Sequence, residues 1–203
     1  MDNHSNTACF LNAAIKRQSK ESLLNQRAKA IWMTGLSGSG KTTLGIHLEK
    51  LLHKKGFLTQ ILDADHVRAT FNRELNFTME GRAENIRRIA EFSKVFLDTG
   101  VIVINCFISP TTKIRQIARK IIGKKDYIEV YVNTSIETCE KRDTKGLYKK
   151  VRKGLIDNFT GVGSPYEPPE NPDIEIDTEN LSIEQAVKKL SNYIIPKITL
   201  IKK

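Results

Sequence analysis

The sequence predicts a three-layer α/β fold, a mainly parallel sheet flanked by helices. Two observations carry this expectation. From residue 30 to residue 200, short β-rich runs alternate with helical stretches, the order that builds parallel strands joined by helical crossovers. One run, 101–108, is nearly all apolar, as a strand covered on both faces should be. A chain of 203 residues suits one domain with a short appendage. The expected division is an N-terminal helical arm, 1–29, and a main domain, 30–203.

The elements follow in order. The first strand is 30–34, and it runs into a glycine-rich turn, 35–40. A helix comes next, with Leu44, Leu48, Leu51 and Leu52 at helical spacing and Gly56 as its stop. Residues 58–62 read as the second strand, ending at Asp63. A long amphipathic helix, 80–99, turns Ile86, Ile89, Ala90, Phe96 and Leu97 inward and stops at Gly100. After the apolar strand 101–108, a helix at 113–122 leads to a strand at 127–132. Thr134 stands three residues before Glu137, a capping-box spacing that opens another helix. A basic helix at 145–154, a Gly- and Pro-rich loop at 160–172, a short strand at 174–176 and a helix at 183–195 complete the domain.

Composition removes several classes. No apolar run approaches the roughly 18 residues of a membrane span, and the first twenty residues lack the apolar stretch of a secretory signal. Cys9, Cys106 and Cys139 are few, odd in number and far apart, which argues against a disulfide framework. A cytoplasmic location is expected. The formal charge is +10, and seven basic residues lie between Lys141 and Lys153 against one acid, Asp143. Such a field attracts anions. A nucleic-acid reader should also offer aromatic stacking platforms or a recognisable module. Aromatics are only 7% and scattered, so a nucleic-acid partner is not expected.

The strongest local signal is Gly35-Leu36-Ser37-Gly38-Ser39-Gly40-Lys41-Thr42, a full G-x-x-x-x-G-K-[ST] pattern between a strand and a helix. Glycines let successive backbone amides converge on one anion. The helix that follows aims its free amides and dipole at the same phosphates. Lys41 should reach the β- and γ-phosphates of ATP, and Thr42 should offer its hydroxyl to Mg²⁺. GTPases and motor ATPases share such a loop, but the short chain carries no guanine-reading motif and no second ATPase module.

Asp63 and Asp65 stand at the end of the second strand, where ligand sites in open α/β sheets lie. In phosphoryl transfer one acid can accept the acceptor's proton while another helps hold Mg²⁺ or its waters.

Taken together, several segments resemble the adenylylsulfate kinases, a family of the P-loop superfamily. They are Asp63-Ala64-Asp65-His66-Val67-Arg68, Asn76-Phe77, Glu80-Gly81-Arg82-Ala83-Glu84-Asn85-Ile86-Arg87-Arg88 and Phe107-Ile108-Ser109-Pro110. Further along come Cys139-Glu140-Lys141-Arg142-Asp143, Lys145-Gly146-Leu147-Tyr148-Lys149, Asn158-Phe159-Thr160-Gly161 and Ser164-Pro165-Tyr166-Glu167-Pro168-Pro169. The resemblance spans about 30–195 in the family's order and spacing.

It implies a P-loop kinase fold with a mobile lid at about 143–170, and a reaction in which ATP phosphorylates the 3′-hydroxyl of adenosine 5′-phosphosulfate (APS). The products are ADP and 3′-phosphoadenosine 5′-phosphosulfate (PAPS), in sulfate activation. The catalytic set it implies is Asp65 as base, Asp63 supporting it or the metal, Lys41 and Ser109. ATP would be held by Gly35, Leu36, Ser37, Gly38, Ser39, Gly40, Lys41, Thr42 and Thr43, with Arg142 stacked on its adenine. Thr42 and Asp63 would serve Mg²⁺. Arg68, Arg82 and Asn85 would hold the phosphosulfate and nucleotide. Ile108 would line the substrate site, Phe77 and Phe159 would clamp its adenine, and Lys145 would approach the transferring phosphate. Ser109 is sometimes assigned a phosphoserine role in the family. Without a flanking base, direct in-line transfer is the expectation here. Arg88 is expected to pair with helix acids such as Glu84, and Cys106 to pack within its strand. A homodimer is implied by the likeness alone.

The sequence departs from the family's usual residues at Ala64 and His66 (commonly Gly and Asn), at Gly81 (commonly Asp) and at Thr111-Thr112 (commonly Tyr-Arg). Two other readings fit the motifs less fully. One is a related kinase for the 3′-hydroxyl of another nucleotide conjugate, and the other a non-enzymatic, ATP-gated module that binds polyanions.

Overall fold

Alternation along the strands decides how the layers form. In β1 (Ala30–Thr34), Ile31 and Met33 point to one face of the sheet and Ala30 and Trp32 to the other, and all are fully buried. Both faces therefore need cover. A computed structural model of the protein describes residues 14–201, so Cys9 and the first part of the expected arm lie outside the described residues. Five strands, β1, β2 (Thr59–Asp63), β3 (Ile102–Cys106), β4 (Tyr127–Asn133) and β5 (Ile174–Asp177), form one sheet in the order β2-β3-β1-β4-β5. Every pairing is parallel, with Ile31 opposite Ile104 on one side and Ile128 on the other.

On one face, Leu44, Leu48 and Leu52 of α2 (Lys41–Lys54) and Leu190, Ile194 and Ile198 of α8 (Ile183–Ile198) pack on Ile31, Met33, Ile104, Val130 and Ile176. On the other, Ile86, Ile89, Ala90 and Leu97 of α4 (Met79–Asp98) and Ile114 and Ala118 of α5 (Thr112–Ile122) cover Trp32, Leu62 and Val103. Phe96, expected inward, is partly buried against the same cluster. Burying each such leucine or isoleucine stabilises the fold by roughly 2 kcal/mol. A helix at α1 (Arg17–Leu24) buries no residue of its own and is fixed by polar contacts. Arg17 pairs with Asp126 at 2.5 Å, and Glu21 accepts the backbone N–H of Ala28. Just beyond it, the buried Gln26 donates to the carbonyls of Leu58 and Gly100 and accepts from the Leu58 amide.

Three expectations are corrected. The helix after β4, α6 (Ile136–Arg142), is capped by Ser135, whose side chain accepts from the Thr138 amide, and not by Thr134. Thr134 instead turns inward, donating to the Ser39 carbonyl at 3.2 Å. A short helix, α3 (Ala64–Ala69), follows β2 directly, because the Asp63 side chain accepts the Asp65 amide and caps it. The run read as a strand to 108 is a strand only through Cys106. One more bond to β1 follows, from the Phe107 amide to the Met33 carbonyl at 3.2 Å, and Ser109 beyond it takes φ 46°. The basic helix is α7 (Leu147–Arg152), and α8 carries a capping box of its own, Ser182 with Gln185.

This order makes the chain leave β1 toward β2 at one edge and later return across β1 to β4. The carboxyl ends of β1, β2 and β3 therefore open on one crevice.

Candidate active site

A cavity of about 680 Å³ fills that crevice. Its floor is the glycine-rich loop. Gly38 takes φ 80°, and a Cβ there would stand 2.9 Å from the Cys139 carbonyl, so only glycine lets the loop lie on α6. At Gly35 a Cβ would meet the Val132 carbonyl at 2.5 Å. Lys41 folds back under the loop, its Nζ donating to the Gly35 carbonyl at 2.9 Å and the Leu36 carbonyl at 2.7 Å. Burial pushes this ammonium down from 10.5 to about 8.

At the start of α2, the Thr42 hydroxyl donates to Asp63 Oδ2 at 2.7 Å, which ties the loop to the end of β2. Asp65, two residues on, lies at the cavity rim in an ion pair with Lys145. Arg142 spans the opposite wall, donating to the Thr178 carbonyl at 2.7 Å and its hydroxyl at 3.0 Å. Tyr148 of α7 donates to the Ser37 carbonyl at 2.9 Å and so ties the segment after α6 to the loop. Thr43 and Ile108 also line the cavity.

The remaining expected residues gather beside it as a second cluster. Phe77 is 61% exposed, with the guanidinium of Arg68 4.3 Å and that of Arg82 5.9 Å from its ring centre. Burial lowers both arginines' affinity for their protons, and for Arg68 the charge of Arg82 adds to this. Among the described residues neither arginine is in an ion pair. Arg88, by contrast, is held by Glu84 at 2.8 Å and by Glu74, as its helix position suggested. Asn85 is buried and accepts from Asn72 at 2.9 Å. Phe159 packs edge-on against Tyr148, with ring centres 4.9 Å apart.

Ser109 stands apart. It is buried, outside the cavity lining, and its hydroxyl accepts the Trp32 indole N–H at 3.0 Å. Cys106 packs as expected, its thiol pushed up to about 12 by burial and so held neutral.

Sequence reasoning missed one wall of the cavity. Thr178, Leu181 and Ser182 between β5 and α8, with Ile183 and Ala186 of the first turn of α8, line the cavity beside the phosphate loop. The Thr178 hydroxyl donates to the Ser39 carbonyl at 3.0 Å across 139 residues of chain. No motif marks these residues. The available signal was topological, since Thr178 directly follows a strand whose carboxyl end must open on the same rim.

A glycine-built phosphate cradle over a buried lysine, with carboxylates at the next strand end of a five-stranded parallel sheet, defines a P-loop phosphotransferase. The profile of the adenylylsulphate kinase family matches residues 27–177, and the chain belongs to that family. It is 55% identical over 182 residues to the adenylyl-sulfate kinase of Bacteroides thetaiotaomicron, a match covering 90% of each chain. The adenylyl-sulfate kinase of Clostridium acetobutylicum is 50% identical over 180 residues, 89% of this chain and 90% of that one. Among solved structures, that of the Mycobacterium tuberculosis APS kinase in complex with AMPPNP and APS matches with a TM-score of 0.80. Its identity is 39%, over 83% of this chain and 98% of that chain.

Proposed function

We propose that the protein transfers the γ-phosphoryl group of ATP to the 3′-hydroxyl of APS, releasing ADP and PAPS. One observation carries this reading. A phosphate cradle opens beside two arginines that have no carboxylate partner among the described residues and lie close to an exposed phenylalanine. Such a neighbour fits an acceptor that is both flat and strongly anionic.

Within this reading, ATP lies on residues 35–43 with its adenine between Arg142 and the wall at Thr178, Leu181 and Ala186. Asp65 takes the proton of the 3′-hydroxyl as the new P–O bond forms and the bond to the ADP oxygen breaks. Lys145, drawn from Asp65 to the transferring phosphate, offsets its charge. Arg68, Arg82 and Asn85 hold the phosphosulfate and nucleotide, and Phe77 and Phe159 flank the adenine. Ser109 is not a phosphoryl carrier in this reading, in keeping with its burial and its bond to Trp32.

Thr42 and Asp63 offer the hard oxygen donors that suit Mg²⁺. No group of three or more His, Cys, Asp or Glu side chains able to hold a metal occurs among the described residues, so the ion would be shared with the triphosphate. There it supplies neutralisation of the β- and γ-phosphate oxygens. Residues 143–170 act as the lid over both substrates, and 14–29, the described part of the expected arm, form an arm on the domain. A cytoplasmic homodimer working in sulfate activation completes the proposal, and no described helix is long and apolar enough to cross a membrane.

The test is ADP release from ATP-Mg²⁺ across a panel of nucleotide acceptors. Release should depend on APS, and turnover with some other acceptor alone would overturn the assignment. Lys41→Ala and Asp65→Asn should both abolish transfer, while Asp65→Asn still binds ATP. Equal loss of ATP binding in both variants would remove Asp65 from the role of base.

A further inference from the structure

Helix α4 starts with only half of a capping box. Its N-cap, Thr78, accepts the Gly81 amide on its hydroxyl at 3.1 Å. The other half is normally a Glu or Gln at the third helical position, whose side chain accepts the N-cap amide. That position is Gly81, which has no side chain to offer. Asn76 takes over the task from outside the helix. Its Oδ1 accepts the Thr78 amide at 3.2 Å and the Thr78 hydroxyl at 2.7 Å. The turn closes only over a glycine, because a Cβ at residue 81 would stand 2.3 Å from Asn76 Oδ1 and 2.6 Å from the Asn76 carbonyl oxygen.

This exchange has an electrostatic consequence. Arg68 donates from one Nη1 to the carbonyls of Leu75 and Asn76, at 3.0 and 3.4 Å, and Arg82 directly follows Gly81. An acid completing the cap would set a full negative charge beside these two guanidinium groups. The carboxamide of Asn76 sets none. The first turn keeps one acid, Glu80, which is exposed. We propose that the Asn76–Gly81 pair tunes the acceptor site for strongly anionic acceptors, closing the turn with a neutral cap so that the charge of Arg68 and Arg82 stays undivided. The proposal rests on APS being the acceptor, since its phosphate and sulfate are the anions these arginines would meet. A carboxylate cap would suit the helix dipole better, yet it would compete with those anions for the same cations.

The test is Asn76→Asp, which keeps the shape and the accepting oxygen and adds one charge. Two effects then pull in opposite directions. As a cap, the aspartate should hold or raise the melting temperature, whereas Asn76→Ala should lower it. As a neighbour of Arg68 and Arg82, it should raise KM for APS about threefold at low salt, the size of an exposed charge pair. KM for ATP and turnover at saturating APS should stay near their wild-type values. Added salt should bring the two KM values for APS together, because charges at this partly exposed turn are screened. Wild-type KM for APS in N76D overturns the proposal, and so does a raised KM that salt leaves unchanged, which would mark a distorted turn. An unchanged melting temperature in N76A removes Asn76 from the cap. Failure of the wild-type protein to turn over APS overturns the functional assignment instead, and the melting of N76D and N76A still decides whether Asn76 caps the helix.

Discussion

Lys41 shows how a buried ammonium costs stability. Its ammonium is buried beneath the loop with only carbonyl and hydroxyl oxygens as partners, and its folded pKa is pushed down from 10.5 to about 8. Below pH 8 both folded and unfolded chains carry the proton, and the full burial cost is present. Between pH 8 and 10.5 the unfolded chain still holds a proton that the folded chain has released, so stability rises with pH through that window. Relative to Lys41→Met, the ligand-free wild type should therefore gain roughly 3 kcal/mol from pH 7 to above pH 10. Urea unfolding of both proteins at several pH values measures this, and a difference that stays flat would place the ammonium in contact with water. That residue was legible because its motif is contiguous: eight consecutive positions state the loop, the lysine and the helix start. Thr178 was not, because its contact with Ser39 depends on how β5 is placed beside β4, which no local pattern encodes. Thr134 and Ser135 show a subtler limit. Both are capping residues by type, and only the turn out of β4 decides that Ser135 faces the helix and Thr134 the loop.

At the scale of elements, hydrophobic patterning located all five strands. It did so most plainly for β1 and β3, which are buried along their whole length and leave little but apolar residues to read, whereas β2 and β5 are only partly buried. The helix α3 leaves little trace in the sequence because it is only six residues long and its cap, Asp63, equally fits a residue that supports a base or a metal. That carboxylate joins two elements, with one oxygen on the Asp65 amide and the other on Thr42. Packing between α2 and the sheet leads to a prediction that helix propensity alone gets wrong. Gly45 lies within α2, where alanine would favour the helix by up to about 1 kcal/mol. A Cβ there, however, would stand 2.7 Å from the Cys106 sulfur and 3.1 Å from Ile61 Cδ1. Overpacking of this kind costs about 1–3 kcal/mol, so Gly45→Ala should lower the melting temperature. Adding Cys106→Ala should restore part of the loss, because the thiol is neutral and only its volume is in the way. If the two substitutions prove additive in thermal melts, the contact between α2 and β3 is looser than described.

For the whole molecule, the decisive quantity is charge and where it sits. The sequence alone gave an excess of +10 and a basic run from Lys141 to Lys153 but could not say what that run faces. In the fold it follows directly from the cavity wall at Arg142 and Lys145. Arg152 is neutralised by Glu140 at 2.9 Å, whereas Lys141, Lys149, Lys150 and Lys153 are exposed and in no ion pair among the described residues. Exposed lysines of this sort add little to stability. Their field, however, extends about 10 Å into solution at 0.1 M salt, enough to gather nucleotides at the cavity mouth. Both substrates of the proposed reaction are anions, so their capture should be steered by this field. The expected outcome is that kcat/KM falls on the order of tenfold as salt rises from a few millimolar to physiological strength. The rate at saturating substrate should change far less, because the contacts in the closed site are partly buried and poorly screened. Replacing Lys149 and Lys150 by Glu should lower kcat/KM at low salt and flatten its salt dependence, without moving saturated turnover. Should the double variant keep the wild-type salt dependence, the attraction must come from Arg68 and Arg82 and not from the outer face of α7.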